Sequence, residues 1–157
     1  MINVNQQMPS GKLHQRTDND TITHQLPDLF AGKKVVLFAV PGAFTPTCSD
    51  NHLPSFIALA DQIKAKGVDE IICIAVNDVF VMKAWQDVKN AEHITMLSDA
   101  DGSYTRSLGL GVDMEPLGGF RSRRYAMIID NGTVVHLATE EAGELSVSGG
   151  ESILQNL

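Results

Sequence analysis

Lys34-Val35-Val36-Leu37-Phe38-Ala39-Val40-Pro41-Gly42-Ala43-Phe44-Thr45-Pro46-Thr47-Cys48 is the stretch on which the fold turns. Its first seven residues are nearly all apolar, as in a strand of a parallel sheet buried on both faces. Beyond it, Leu53, Phe56, Ile57, Ala60 and Ile63 recur at spacings of three and four and give a helix one apolar face. Gly67 suits the end of that helix. Pro54 lies inside it and predicts a kink, because its ring meets the carbonyl of Asp50. The chain therefore passes directly from a buried strand into an amphipathic helix, the kind of turn where α/β folds place ligand chemistry.

Working outward, Thr17-Asp18-Asn19-Asp20 reads as a turn between short strands at 13–15 and 21–24. Residues 70–77 form a second buried strand, and Asp78 caps a helix carrying Phe80, Val81, Ala84, Trp85 and Val88. A short strand at 95–98 and a short helix at 102–108 follow. Asn131-Gly132 between two apolar runs, 125–130 and 133–139, is a strong hairpin signal. Ser148-Gly149-Gly150-Glu151 has capping-box spacing and opens a last helix that buries Ile153, Leu154 and Leu157. The expected class is α/β, a mixed central sheet with helices on both faces, in one domain spanning 1–157.

Composition narrows the function. At 43% hydrophobic and 20% charged residues the chain can bury a core, so disorder is excluded. Its apolar runs are too short to span a bilayer, and a net charge of −7 argues against nucleic acid or anionic membrane as partner. The amino terminus has no secretory pattern, so a cytoplasmic location is expected. Two cysteines, Cys48 and Cys73, are too few for a disulfide scaffold or a structural zinc.

Cys48 has a distinctive place. With Thr45 as N-cap and Pro46 as the first helical residue, Cys48 is the third, where a capping box holds a carboxylate. Free backbone N–H groups and the positive helix end favour a thiolate there, the form that reacts with peroxides. The Thr45 hydroxyl is close enough to reach the sulfur, and Pro41 fixes the backbone at the pocket rim. The competing reading is an inert core cysteine in a capped helix.

Pro41, Thr45 and Cys48 resemble the Pro-x-x-x-Thr-x-x-Cys motif of the peroxiredoxins. The likeness continues through Ser49, His52-Leu53-Pro54, Gly67-Val68-Asp69, Val76-Asn77-Asp78, Trp85 and Arg123-Arg124. Over 35–157 the chain is similar to the type II, or peroxiredoxin-5-like, branch, with the first thirty residues an N-terminal extension that matches less distinctly. The resemblance implies a thioredoxin-like fold and a peroxidase whose nucleophile is Cys48. It implies that Thr45 bonds thiolate and peroxide, that Pro41 shields the pocket, and that Arg124 stabilises the thiolate and the departing oxygen. Arg121 and Arg123 are expected in a solvated turn.

The implied substrates are hydrogen peroxide and alkyl hydroperoxides, and no cofactor is called for. Cys73 is a candidate resolving cysteine, because some relatives carry a second cysteine at this spacing. Its setting in an apolar strand favours a core residue. Other relatives carry a resolving cysteine near the C-terminus, where this chain has Leu145-Ser146-Val147-Ser148. The expected cycle therefore uses one cysteine, regenerated by glutathione and glutaredoxin, with thioredoxin the alternative. Phe44, Phe80 and Trp85 are core residues by default, although aromatics near the site would suit the homodimer this family forms. His52, one turn after Cys48, is expected to be structural, and the other histidines show no ligand spacing. A thiol–disulfide oxidoreductase is disfavoured because Thr45 replaces the second cysteine of a Cys-x-x-Cys. The other alternative is a peroxide sensor that is oxidised without turnover.

Overall fold

The two faces of one sheet explain the apolar strands. In a computed structural model that describes residues 1–157, β3 (Lys34–Ala39) and β4 (Glu70–Ala75) are buried along almost their whole length. Alternate side chains point to opposite faces. Val36, Phe38 and Cys73 enter one core, while Val35, Leu37 and Ile72 enter the other. The full order is β2 (Thr21–Leu26), β1 (Gly11–Arg16), β5 (Thr95–Ser98), β4, β3, β8 (Tyr125–Asp130), β9 (Thr133–Thr139). β3, β4 and β5 (Thr95–Ser98) run parallel, whereas β8 (Tyr125–Asp130) is antiparallel to β3.

The first core lies under α1 (Leu53–Ala65), α2 (Val79–Val88) and α4 (Gly150–Gln155), which contribute Phe56, Ile63, Trp85 and Ile153. Phe38 stacks on Phe56 with ring centroids 4.0 Å apart. α4 approaches α1 closely at Gly150, where a Cβ would stand 2.6 Å from the Ser55 carbonyl oxygen. The second core is covered by α3 (Ser103–Leu108), the 3₁₀ turn Asp28–Phe30 and the amino-terminal residues. Each large apolar side chain so buried stabilises the fold by about 2 kcal/mol before entropy is charged. Helices flank both faces, as expected.

Several expectations are met and others corrected. The first thirty residues are part of the sheet: β1 (Gly11–Arg16) and β2 (Thr21–Leu26) form a hairpin that joins it through β5. β8 and β9 (Thr133–Thr139) flank Asn131-Gly132, whose φ values of 48° and 84° are those a tight hairpin turn needs. The Asp78 carboxylate caps α2 by accepting from Phe80 N and Val81 N at 2.9 and 2.8 Å. The capping box at Ser148 does not form, because Gly149 takes the N-cap and the Ser148 hydroxyl donates to Glu140 instead. A small second sheet was not anticipated: β6 (Gly111–Met114) and β7 (Gly119–Ser122) pair antiparallel. Its four-residue strands, rich in glycine and charge, carry little apolar alternation. No helix is long and apolar enough to cross a membrane.

Candidate active site

β3 delivers the chain to a turn with two anchors. Ala43 N donates to Asn77 Oδ1 at 3.0 Å, and Phe44 adopts a φ of 67°, left-handed backbone that a bulky residue rarely tolerates. Such strain costs on the order of 1–3 kcal/mol and gathers at functional turns. The helix then starts at Pro46, with the Thr45 carbonyl accepting from Ser49 N at 2.8 Å, so Thr45 is the N-cap residue as expected. Its hydroxyl departs from expectation. Thr45 Oγ1 donates to the Gly42 carbonyl at 2.7 Å and makes no bond to the Cys48 sulfur.

Cys48–His52 form a π-helical turn, in which Leu53 N donates back to Cys48 O. This one-residue slip is how the helix accommodates Pro54. Cys48, Ser49 and His52 of this turn are all buried. The Ser49 hydroxyl accepts from Trp85 Nε1 at 2.8 Å, which ties the turn to α2.

Cys48 is 0% exposed, yet it is not in a purely apolar setting. Arg124 Nη2 donates to Cys48 Sγ at 3.1 Å, a charge-assisted contact suited to an anionic sulfur. Arg124 Nη1 lies 2.9 Å from His52 Nδ1, and His52 Nε2 lies 2.8 Å from the Ser148 carbonyl oxygen. A carbonyl only accepts and a guanidinium only donates, so His52 is the neutral Nε2–H tautomer. Burial, with the Arg124 charge adding to it, lowers His52 to about 4 despite the favourable bond to Ser148. His52 thus bonds backbone and also contacts the arginine that holds the sulfur.

Pro41, Thr45, Pro46, Thr47 and Arg124 line an open cavity of about 520 Å³, walled on its apolar side by Val112, Met114 and Leu117. The backbone N–H groups of Thr47 and Cys48 donate to no backbone carbonyl. The structure thus gathers Pro41, Thr45, Cys48 and Arg124 at one place. Cys73 is a free thiol, fully buried in β4, and burial together with the neighbouring Cys48 pushes it well above the ordinary thiol range.

The arginine triplet divides. Arg123 is exposed at the cavity wall, as expected. Arg121 is only half exposed: its guanidinium binds the Leu117 carbonyl and, at 2.9 Å, that of Val76, clamping β7 to the end of β4. Trp85 is core, but Phe44 and Phe80 are 48% and 63% exposed, correcting their placement there.

Residues 3–154 match the Redoxin family. Among similar proteins, Peroxiredoxin-2D of Arabidopsis thaliana is 46% identical over 159 residues, covering 99% of this chain and 98% of its own length. Peroxiredoxin-2C of Oryza sativa subsp. japonica is 47% identical with the same coverage. The chain belongs to the peroxiredoxins. Reduced Prx3 from Vibrio vulnificus in complex with H2O2 superposes on this peroxiredoxin with a TM-score of 0.97, at 56% identity and 99% coverage of both chains. Oxidized Prx3 of the same organism matches with a TM-score of 0.93. The type II resemblance and the thioredoxin-like fold are borne out, and the chain is a thiol-dependent peroxidase.

Proposed function

We propose that Cys48 is the peroxidatic nucleophile of a one-cysteine cycle acting on hydrogen peroxide and alkyl hydroperoxides. The observation that carries this reading is the 3.1 Å contact between Arg124 Nη2 and Cys48 Sγ. The thiolate attacks the terminal oxygen of the hydroperoxide, the S–O bond forms as the O–O bond breaks, and the departing alkoxide or hydroxide takes a proton to leave as alcohol or water. The product at Cys48 is a sulfenic acid. Negative charge grows on the leaving oxygen, and donors already aimed at it lower the barrier. Arg124 and the free N–H groups of Thr47 and Cys48 are placed for this, and the Thr45 hydroxyl joins them by turning from Gly42. Pro41, which has no N–H, keeps that wall of the pocket unhydrated.

An external thiol then attacks the sulfenic acid, releasing water, and a second thiol resolves the mixed disulfide. Glutathione with glutaredoxin is the preferred reductant and thioredoxin the alternative. Cys73 serves as a core residue in this cycle, a reading supported by its complete burial. The protein works in the cytoplasm as a homodimer, its contact surface formed around Phe44, exposed in the turn before Cys48, and Phe80, exposed at the start of α2. Cys48→Ser is expected to abolish peroxide consumption in a glutathione–glutaredoxin coupled assay, and an unchanged rate would remove the assignment.

A further inference from the structure

We infer that Glu140 is a positioning residue for the peroxide reaction: its carboxylate holds residues 146–148 so that Ser148 offers its carbonyl to His52, and His52 thereby keeps Arg124 on the Cys48 sulfur. The inference rests on the reading of Cys48 as nucleophile and extends it to a carboxylate well removed from the sulfur in sequence.

Glu140 follows β9 and is 8% exposed. Its backbone N donates to the Arg124 carbonyl at 3.0 Å, so it is tied to the very residue that holds the sulfur. Its Oε2 accepts from Ser146 N, Val147 N and Ser148 N at 2.8, 2.9 and 2.8 Å, and from Ser148 Oγ at 2.7 Å. Its Oε1 accepts from Ser146 Oγ at 3.1 Å. No lysine, arginine or histidine pairs with this carboxylate. The whole anion is therefore spent on shaping one short segment, and that segment has one further contact of consequence: Ser148 O accepts from His52 Nε2 at 2.8 Å.

Each link in the series has a fixed direction. The carbonyl of Ser148 forces the proton onto Nε2, which leaves the Nδ1 lone pair to receive Arg124 Nη1. If Ser148 moves, the imidazole is free to take the other tautomer. Nδ1–H would then face the guanidinium donor to donor, and Arg124 would have to leave its place. A carboxylate that only stapled a loop would not touch this balance.

The charged and titratable groups around the series are Cys48, Cys73 and Arg124, with Arg123 and Glu141 in the cavity wall. Near neutral pH His52 is uncharged and Glu140 ionised, so a substitution at Glu140 acts through geometry rather than through a change of protonation.

The test compares Glu140→Gln with wild type in two readouts, the second-order rate of reaction with hydrogen peroxide and the ring ¹⁵N signals of His52. Glutamine keeps the shape but not the charge, so the donors of 146–148 lose a charge-assisted acceptor, and its N–H₂ is met only by the Ser146 hydroxyl turned to accept. The rate is expected to fall about tenfold, less than for outright loss of a transition-state donor. The ring signals should change from a single Nε2–H form to a mixture. In a His52→Ala background, Glu140→Gln should cost nothing further, since the two act in series. An unchanged rate, a slower rate with unchanged ring signals, or losses that add in the double variant would each overturn the inference. Should Glu140→Gln fail to fold, Ser148→Ala carries the test, because it removes one bond to Glu140 and keeps the carbonyl. A smaller rate loss with the same ring signature supports the inference, and wild-type behaviour in both readouts overturns it. Failure of the catalytic reading itself would look different: the wild-type protein would not consume peroxide, with its ring signals intact.

Discussion

At the scale of residues, the chemistry depends on giving a sulfur with no exposed surface a polar neighbour. Arg124 does this with two separate nitrogens, one on Cys48 and one on His52. Arg124→Ala is expected to lower the peroxide rate by about 100-fold or more in stopped-flow measurements, the usual cost of losing a donor to developing charge. Arg124→Lys should recover little of it, because one ammonium lacks the planar fork that spans both partners. Cys48, Thr45 and Pro41 were legible from spacing, and Arg124 from the family resemblance. His52 was visible as one turn from Cys48, but its link to Arg124 crosses 72 positions and leaves no local signal. Glu140 was not legible, since Thr139-Glu140-Glu141 reads as an ordinary polar turn after a strand. The Thr45 hydroxyl is held by the Gly42 carbonyl three residues back, which competes with the sulfur for it.

At the scale of elements, strong local chemistry was read well and long-range accommodation was not. β8, β9 and the Asn131-Gly132 turn were legible because turn residues and apolar runs agree. The Asp78 cap is local in the same way. Asp78→Ala should destabilise the protein by about 1 kcal/mol in urea unfolding, the common worth of such a cap, and leave the peroxide rate nearly unchanged. The π turn at Cys48–His52 was not legible, because a proline inside an apolar helical pattern says that the helix must adjust but not how. Cys48, Ser49 and His52 all lie on its buried side. Capping-box spacing at Ser148 misled because the Ser148 hydroxyl had a stronger acceptor in Glu140. Phe44 and Phe80 were assigned inward by residue type, and only the packed structure shows that they face out.

At the scale of the molecule, the network around the site makes stability depend on pH. His52 is lowered from 6.5 to about 4, chiefly by burial, so as the pH falls the unfolded chain takes up that proton before the folded one. Stability is full above pH 6.5 and declines toward pH 4, by up to about 3 kcal/mol. Glu140 adds a second loss at lower pH. Burial alone would raise it, but the bonds from Ser148, Val147 and Ser146 outweigh burial and hold it at about 2 against 4.5. Its contribution fades between those two values. Urea midpoints measured from pH 8 to 4 should show the first loss in wild type and a shallower slope in His52→Gln. Across the sheet, the parallel strands β3, β4 and β5 put the catalytic turn at the carboxyl end of β3, with Cys73 sealed within β4. The two cysteines share one core, but only Cys48 receives the Arg124 guanidinium. The direct measurement is to add one equivalent of hydrogen peroxide with dimedone present and map the modified peptides by mass spectrometry. The account predicts the adduct on Cys48, an unmodified Cys73 and no disulfide between them; an adduct on Cys73, or an untouched Cys48, would contradict it.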